Sequence, residues 1–149
     1  MKKLLLTTLV LLSLSTVSIF AQTTTDSEPT NNTVPGDSMA VPMNNTAALS
    51  SSVDVDFYKI RTNKIGVMVV SVTGTNNNMT TKVQILNSDG VSLEAYRDAS
   101  FSSEDITLEF LTQYTGIYYI RIQNIRVTTL SSPYNLKVSM DTSDVYEYN

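Results

Sequence analysis

The sequence predicts an all-β fold, a sandwich or a barrel of roughly seven strands, and three observations carry that expectation. From Val53 onward, short segments rich in Val, Ile, Tyr and Thr alternate with turn residues. The segments recur at the roughly 8–12-residue spacing of short paired strands. No stretch after the N-terminal segment repeats its apolar residues with the 3.6-residue period of an amphipathic helix. Each segment shows one apolar side, and two such sides closed on each other make one core.

The N-terminus reads as a secretory signal. Lys2 and Lys3 form a basic start, an apolar run follows over 4–14, and the segment ends Ser18-Ile19-Phe20-Ala21-Gln22, with cleavage expected after Ala21. A spanning helix needs roughly 20 apolar residues. Thr7, Thr8, Ser13, Ser15, Thr16 and Ser18 interrupt this run, so residues 1–21 read as cleaved rather than as a stable transmembrane anchor. Loss of Lys2 and Lys3 leaves eight basic against fourteen acidic residues, a net charge of −6. That balance argues against nucleic acid and anionic membrane surfaces as partners. The expected place of work is the periplasm or the outside of the cell. With no Cys in the chain there is no disulfide to stabilise it there, so a core or a bound ion must.

Residues 22–52 are rich in Thr, Ser and Asn, carry Pro29, Pro35 and Pro42, and hold few large apolar side chains. This composition predicts a disordered or loosely docked linker, with 41–49 docking as an extra edge strand as the alternative. Residues 53–149 are the expected sandwich domain, ending in a short acidic tail over 141–149. Strands are predicted over 55–61, 65–73, 80–86, 91–95, 106–110, 117–124 and 134–140. The second is apolar on both faces and should be covered. Asn87-Ser88-Asp89-Gly90 reads as a tight turn in which Gly90 supplies positive φ. In the last strand Tyr134, Leu136, Val138 and Met140 share one side.

Four segments, in order, resemble the bacterial pre-peptidase C-terminal domain family, which is related to the collagen-binding domains of collagenases. Asp54-Val55-Asp56-Phe57-Tyr58-Lys59-Ile60 is similar to its opening strand. Val83-Gln84-Ile85-Leu86-Asn87-Ser88-Asp89-Gly90 is similar to a strand and turn of the family. Thr115-Gly116-Ile117-Tyr118-Tyr119-Ile120-Arg121-Ile122 resembles its G-x-Y-Y strand, and Ser132-Pro133-Tyr134-Asn135-Leu136-Lys137-Val138 its closing Y-x-L-x-V strand. The resemblance implies a jelly-roll-like antiparallel β-sandwich of about seven to nine strands and a non-catalytic role. Such modules usually accompany secreted proteases, and no catalytic domain precedes this one in the sequence.

The residue inventory agrees with a non-catalytic reading. With no His and no Cys, Ser-His-Asp and Cys-His catalysis and His/Cys zinc sites are impossible. Asp54 and Asp56 are two apart and share a strand face. The stronger functional reading of these acids is calcium, which takes six to eight oxygens. Some relatives in the collagen-binding branch hold calcium where linker meets first strand, and Asp54 and Asp56 occupy that junction. Their structural reading is a solvated strand start or turn cap. Tyr118 and Tyr134 are expected in the core. Tyr119 should face away from Tyr118 and stand exposed, and exposed Tyr anchors protein or sugar partners. Tyr119, Arg121 and the loops at 97–104 and 127–132 are therefore the expected contact surface.

The expected function is an exported binding or structural module that recognises a protein or polysaccharide at the cell envelope or outside the cell. The alternatives are a secretion or stability accessory of a separately encoded secreted protease, and a calcium-dependent adhesin. No cofactor other than calcium is expected.

Overall fold

Alternation of buried and exposed side chains builds the molecule. In the computed structural model, which describes residues 22–25, 33–34, 37–51, 53–126 and 131–142, ten strands are present among the described residues. The expected signal over 1–21, most of the acidic tail and the loop residues 127–130 lie outside the described residues. Among the described residues no helix is long and apolar enough to cross a membrane.

The strands are β1 (Gln22–Thr25), β2 (Asp37–Ala40), β3 (Met43–Leu49), β4 (Val55–Thr62), β5 (Val67–Thr73), β6 (Thr81–Leu86), β7 (Leu93–Asp98), β8 (Ile106–Leu111), β9 (Gly116–Asn124) and β10 (Ser132–Asp141). They form two five-stranded sheets. Sheet I has the order β1-β3-β10-β5-β8 and sheet II the order β2-β4-β9-β6-β7. Pairing is antiparallel except at β1–β3 and β2–β4, which are parallel. From β4 to β10 the chain changes sheet at every connection but the β6–β7 hairpin. The result is an all-β sandwich.

The inner faces meet in a core of Tyr58, Ile60, Met68, Val70, Val72, Val83, Ile85, Ile106, Tyr118, Ile120, Ile122, Tyr134, Leu136 and Val138. Tyr118 and Tyr134 lie there as the alternation predicts, and Tyr114 stacks on Tyr118 with ring centroids 4.7 Å apart. The β6–β7 turn also follows its sequence. Gly90 has φ 69°, and a Cβ there would meet the Val34 side chain at 2.8 Å. Asp89 closes the turn by accepting from Val91 N at 2.8 Å and Ser92 N at 2.8 Å.

Three expectations are corrected. The stretch read as linker contributes strands, and the sandwich begins well before residue 53. β3 lies between β1 and β10, and its Met43, Asn45, Ala47 and Leu49 are buried. It is an interior strand, where the alternative reading had an edge. The reason is that β10 is apolar along its full inner side and needs a second neighbour to complete its ladder; residues 43–49 supply the backbone even though Asn45 and Ala47 weaken their apolar pattern. The strand expected over 91–95 begins at Leu93 and runs on to Asp98, into the expected loop at 97–104. Val91 lies in the turn before β7 and is 80% exposed, and a register shift between Ile85 and Leu86 re-aims the start of the strand. Ala95 and Ala99 pack on the core instead. Ser132, expected in a loop, is the first residue of β10.

Candidate functional site

The outer face of sheet II is where side chains with recognition chemistry gather. β4 turns Asp56, Tyr58, Ile60 and Thr62 inward, which sends Val55, Phe57, Lys59 and Arg61 outward. β9 sends Ile117, Tyr119, Arg121 and Gln123 to the same side, and β6 sends Lys82 and Gln84. Register then aligns these residues in rows. Phe57, Arg121, Gln84 and Tyr96 form one, Lys59, Tyr119 and Leu86 the next, and Val55, Gln123, Lys82 and Asp98 the one on the other side.

Within the first row the contacts are specific. Arg121 Nη1 donates to Gln84 Oε1 at 3.0 Å, and the guanidinium carbon lies 5.8 Å from the centre of the Phe57 ring. Lys82 Nζ reaches Asp98 at 3.6 Å and lies 5.5 Å from the Tyr96 ring centre. Tyr96 is 58% exposed. Phe57, Arg121, Gln84 and Lys82 sit on strands paired on both sides and Tyr96 and Asp98 on the edge strand β7, so the backbone ladder sets their positions.

Tyr119 does face away from Tyr118, but it is only 6% exposed, so its expected exposure is corrected. Alternation gives a direction and says nothing about cover. Tyr119 stands on the middle strand of a five-stranded sheet, flanked in register by Lys59 and Leu86. Arg121 is half-buried and shares the outer face with it. Phe57 and Tyr96 went unremarked in the sequence. Outward alternation from Tyr58 could have found Phe57; nothing local could have found Tyr96, which depends on the β7 register shift.

The loops at one end of the sandwich border this face at Asp98. Buried Asn124 organises them, accepting from Thr80 N at 3.0 Å and Arg126 N at 3.0 Å and donating to Asn78 O at 2.9 Å. Arg126 reaches Asn77 O and Ser102 Oγ, and Ser103 Oγ donates to Asn77 Oδ1 at 2.6 Å. Of the two loops expected to contact a partner, 97–104 adjoins the face; 127–130 lies outside the described residues.

Asp54 and Asp56 are both withdrawn from solvent. Asp56 is fully buried and points into the core, where Tyr134 OH donates to its Oδ2 and Tyr58 OH lies 2.6 Å from Tyr134 OH. This network joins β4 in sheet II to β10 in sheet I. Asp54 caps a turn by accepting from Ser50 N, and its Oδ1 is buried with no hydrogen bond. Neither acid is solvated. Among the described residues no group of three or more acidic side chains lies together. Burial pushes the Tyr134 hydroxyl well above the usual phenol range, and the nearby Tyr58 and Asp56 push the same way.

Residues 54–124, the span of β4 to β9, match the model of the bacterial pre-peptidase C-terminal domain. The chain carries a domain of this family. Two solved structures share the fold of this pre-peptidase C-terminal domain. The pre-peptidase C-terminal domain of a collagenase from Bacillus anthracis superposes with a TM-score of 0.54 and 13% identity, over 69% of this chain and 93% of that one. The periplasmic inhibitor of g-type lysozyme from Aeromonas hydrophila, PliG, superposes with a TM-score of 0.54 and 13% identity, over 70% and 96%. At such identity the likeness is one of fold. No curated protein matches the sequence.

Proposed function

We propose that the pre-peptidase C-terminal domain of this chain is an exported, non-catalytic binding module that holds a protein or polysaccharide at the cell envelope or outside the cell. The observation that carries this reading is the row Phe57–Arg121–Gln84–Tyr96, a cation and two aromatic rings placed side by side on rigid, paired strands. Aromatic and Arg side chains on a preorganised surface are the groups that dominate recognition energy. The family match supports a module without chemistry of its own, and the absence of His and Cys from the chain removes the commonest nucleophilic routes. The signal-like residues 1–21 support export. The two similar folds are, by their names, part of a collagenase and a periplasmic inhibitor of an enzyme.

The test is retention of the purified chain on envelope and extracellular fractions. Tyr96→Ala with Arg121→Ala should reduce retention about tenfold or more, the loss of two contact residues of this kind. Unchanged retention would place the contact surface elsewhere. A hydrolase screen should show no turnover by the chain.

A second reading, the accessory of a separately encoded secreted protease, is favoured by the family's association with peptidases. Co-purification of the chain with one protease, in constant ratio, would select it over independent binding.

A further inference from the structure

We propose that the ligand held on the outer face of sheet II is an anionic polysaccharide, one that bears carboxylate or sulfate groups along a sugar chain. The proposal rests on the binding reading above and adds the chemistry of the partner. Its basis is a segregation of charge that net composition hides.

Eight Lys and Arg follow residue 21, and four of them, Lys59, Arg61, Lys82 and Arg121, stand on this one face. Several acids are engaged elsewhere, while Glu94 lies at the β7 irregularity on the edge strand. Asp54 and Asp56 are buried, Asp89 is turned into its own turn, and Glu104 pairs with Arg97 at 3.6 Å. Among the described residues paired in register on this face, Asp98 is the one carboxylate, and it stands at the corner beside Lys82. Lys59 and Arg61 make no ion pair among the described residues.

The four cations form a line. Arg61 and Lys59 are two apart on β4, about 7 Å by the strand rise. Lys59 lies opposite Tyr119, so Arg121 is its diagonal neighbour, and Arg121 lies opposite Gln84, so Lys82 is diagonal to it. Diagonal neighbours are about 7–8 Å apart, so the track advances in near-equal steps across three strands. Phe57 and Tyr96 flank it. At the Arg61 end the track opens into a groove of about 860 Å³ whose lining adds Lys64, Ser38 and Ser139 and holds no carboxylate.

This arrangement selects among anionic polymers. The track crosses β4, β9 and β6, each paired on both sides, so no open backbone edge is offered to a peptide. Recognition must run through side chains. Flat rings between cations suit sugar rings, whose C–H faces stack on aromatics while charged groups project from the edge. Duplex DNA carries one charge per about 1.7 Å, far denser than cations in steps of about 7 Å. A sugar chain with one charge per unit matches the sparser track.

The experiment measures binding of the purified chain to soluble polygalacturonate and to chondroitin sulfate, beside neutral dextran, poly-glutamate and a single-stranded oligonucleotide. Binding to one or both charged polysaccharides, absent for dextran, is expected. It should weaken about tenfold in Lys59→Gln with Arg61→Gln, and as salt rises to about 0.5 M, where the screening length falls to a few ångströms. Lys137→Gln on sheet I should change nothing. No binding to either charged polysaccharide, binding unaltered by the double substitution, or tighter binding of poly-glutamate or the oligonucleotide overturns the proposal. If a neutral glycan or an envelope protein is held and lost in the Tyr96→Ala and Arg121→Ala variant, the binding reading survives and the anionic one falls.

Discussion

At the residue scale the most informative group is Asp56. A carboxylate with no exposure to solvent is costly unless hydrogen-bonded, and Tyr134 and Tyr58 supply a relay that crosses the core. Tyr134→Phe removes the donor to Asp56 and should lower stability by about 1–3 kcal/mol in urea unfolding, with little change in fold. The same residue gives a pH dependence. Its hydroxyl is raised above the usual 10.0 in the folded protein. Its contribution is therefore complete below pH 10 and is lost as pH rises past that value, where the unfolded chain ionises first. Unfolding followed from pH 8 to 12 should show this fall, and Tyr134→Phe should blunt it. At the acid end, Asp89 is held below its usual 3.8 by the Ser92 hydroxyl and then by the Val91 and Ser92 amides. The support it gives the turn is present above pH 3.8 and is lost as pH falls through the lowered value. Because Asp56 is committed to Tyr134 and no third acid joins Asp54, millimolar calcium or its removal by EDTA should leave Tm unchanged. A rise of several degrees on adding calcium would show that the two acids do hold an ion.

At the element scale, most strands from β4 to β10 were legible because they carry alternating large apolar residues bounded by turn chemistry. Tyr134, Leu136 and Val138 of β10 are the clearest case, and all three are buried as their spacing demands. β3 was not legible to the same degree. Its inward residues are Met43, Asn45, Ala47 and Leu49, and a small side chain and an amide among them lower the apolar signal to that of a linker. What makes it a strand is β10, whose residues 132–138 pair with 43–49. Leu49 is fully buried, and Leu49→Ala should cost about 2–5 kcal/mol, measured as a shift in the urea midpoint. A chain begun at residue 53 lacks β1 to β3, leaves one edge of β10 and one of β4 bare, and should lose cooperative thermal unfolding. If that truncated chain melts as sharply as the whole, the N-terminal strands are dispensable. The β7 start shows the opposite limit. Val91 and Leu93 alternate as one strand side would, yet Val91 falls in the turn and a shift of register turns Leu93 out, and register is a property of two strands.

At the scale of the whole molecule, the net charge of −4 misleads about local surfaces. A sum over the chain cannot see that some acids, Asp54, Asp56, Asp89 and Glu104 among them, are engaged in the core, a turn and an ion pair while four cations share one sheet face. The salt-sensitive binding expected above belongs to this scale, since it depends on the face and on no single residue. The candidate site was legible in part for the same reason. Arg121 was found because alternation fixes which way a strand residue points. Its neighbours Gln84, Phe57 and Tyr96 come from three other strands, and only the ladder brings them into one row.

By itself the sequence determined the all-β class, seven strands in order, the turn at Gly90, the inward tyrosines 118 and 134 and the family to which residues 54–124 belong. These follow from local chemistry: side-chain alternation, φ preference and apolar burial act within a few residues. Tertiary structure alone decided the place of β3, the burial of Tyr119 and Asp56, and the gathering of cations on sheet II. Each of those depends on which strands lie side by side, and that is settled by backbone pairing between segments far apart in the chain.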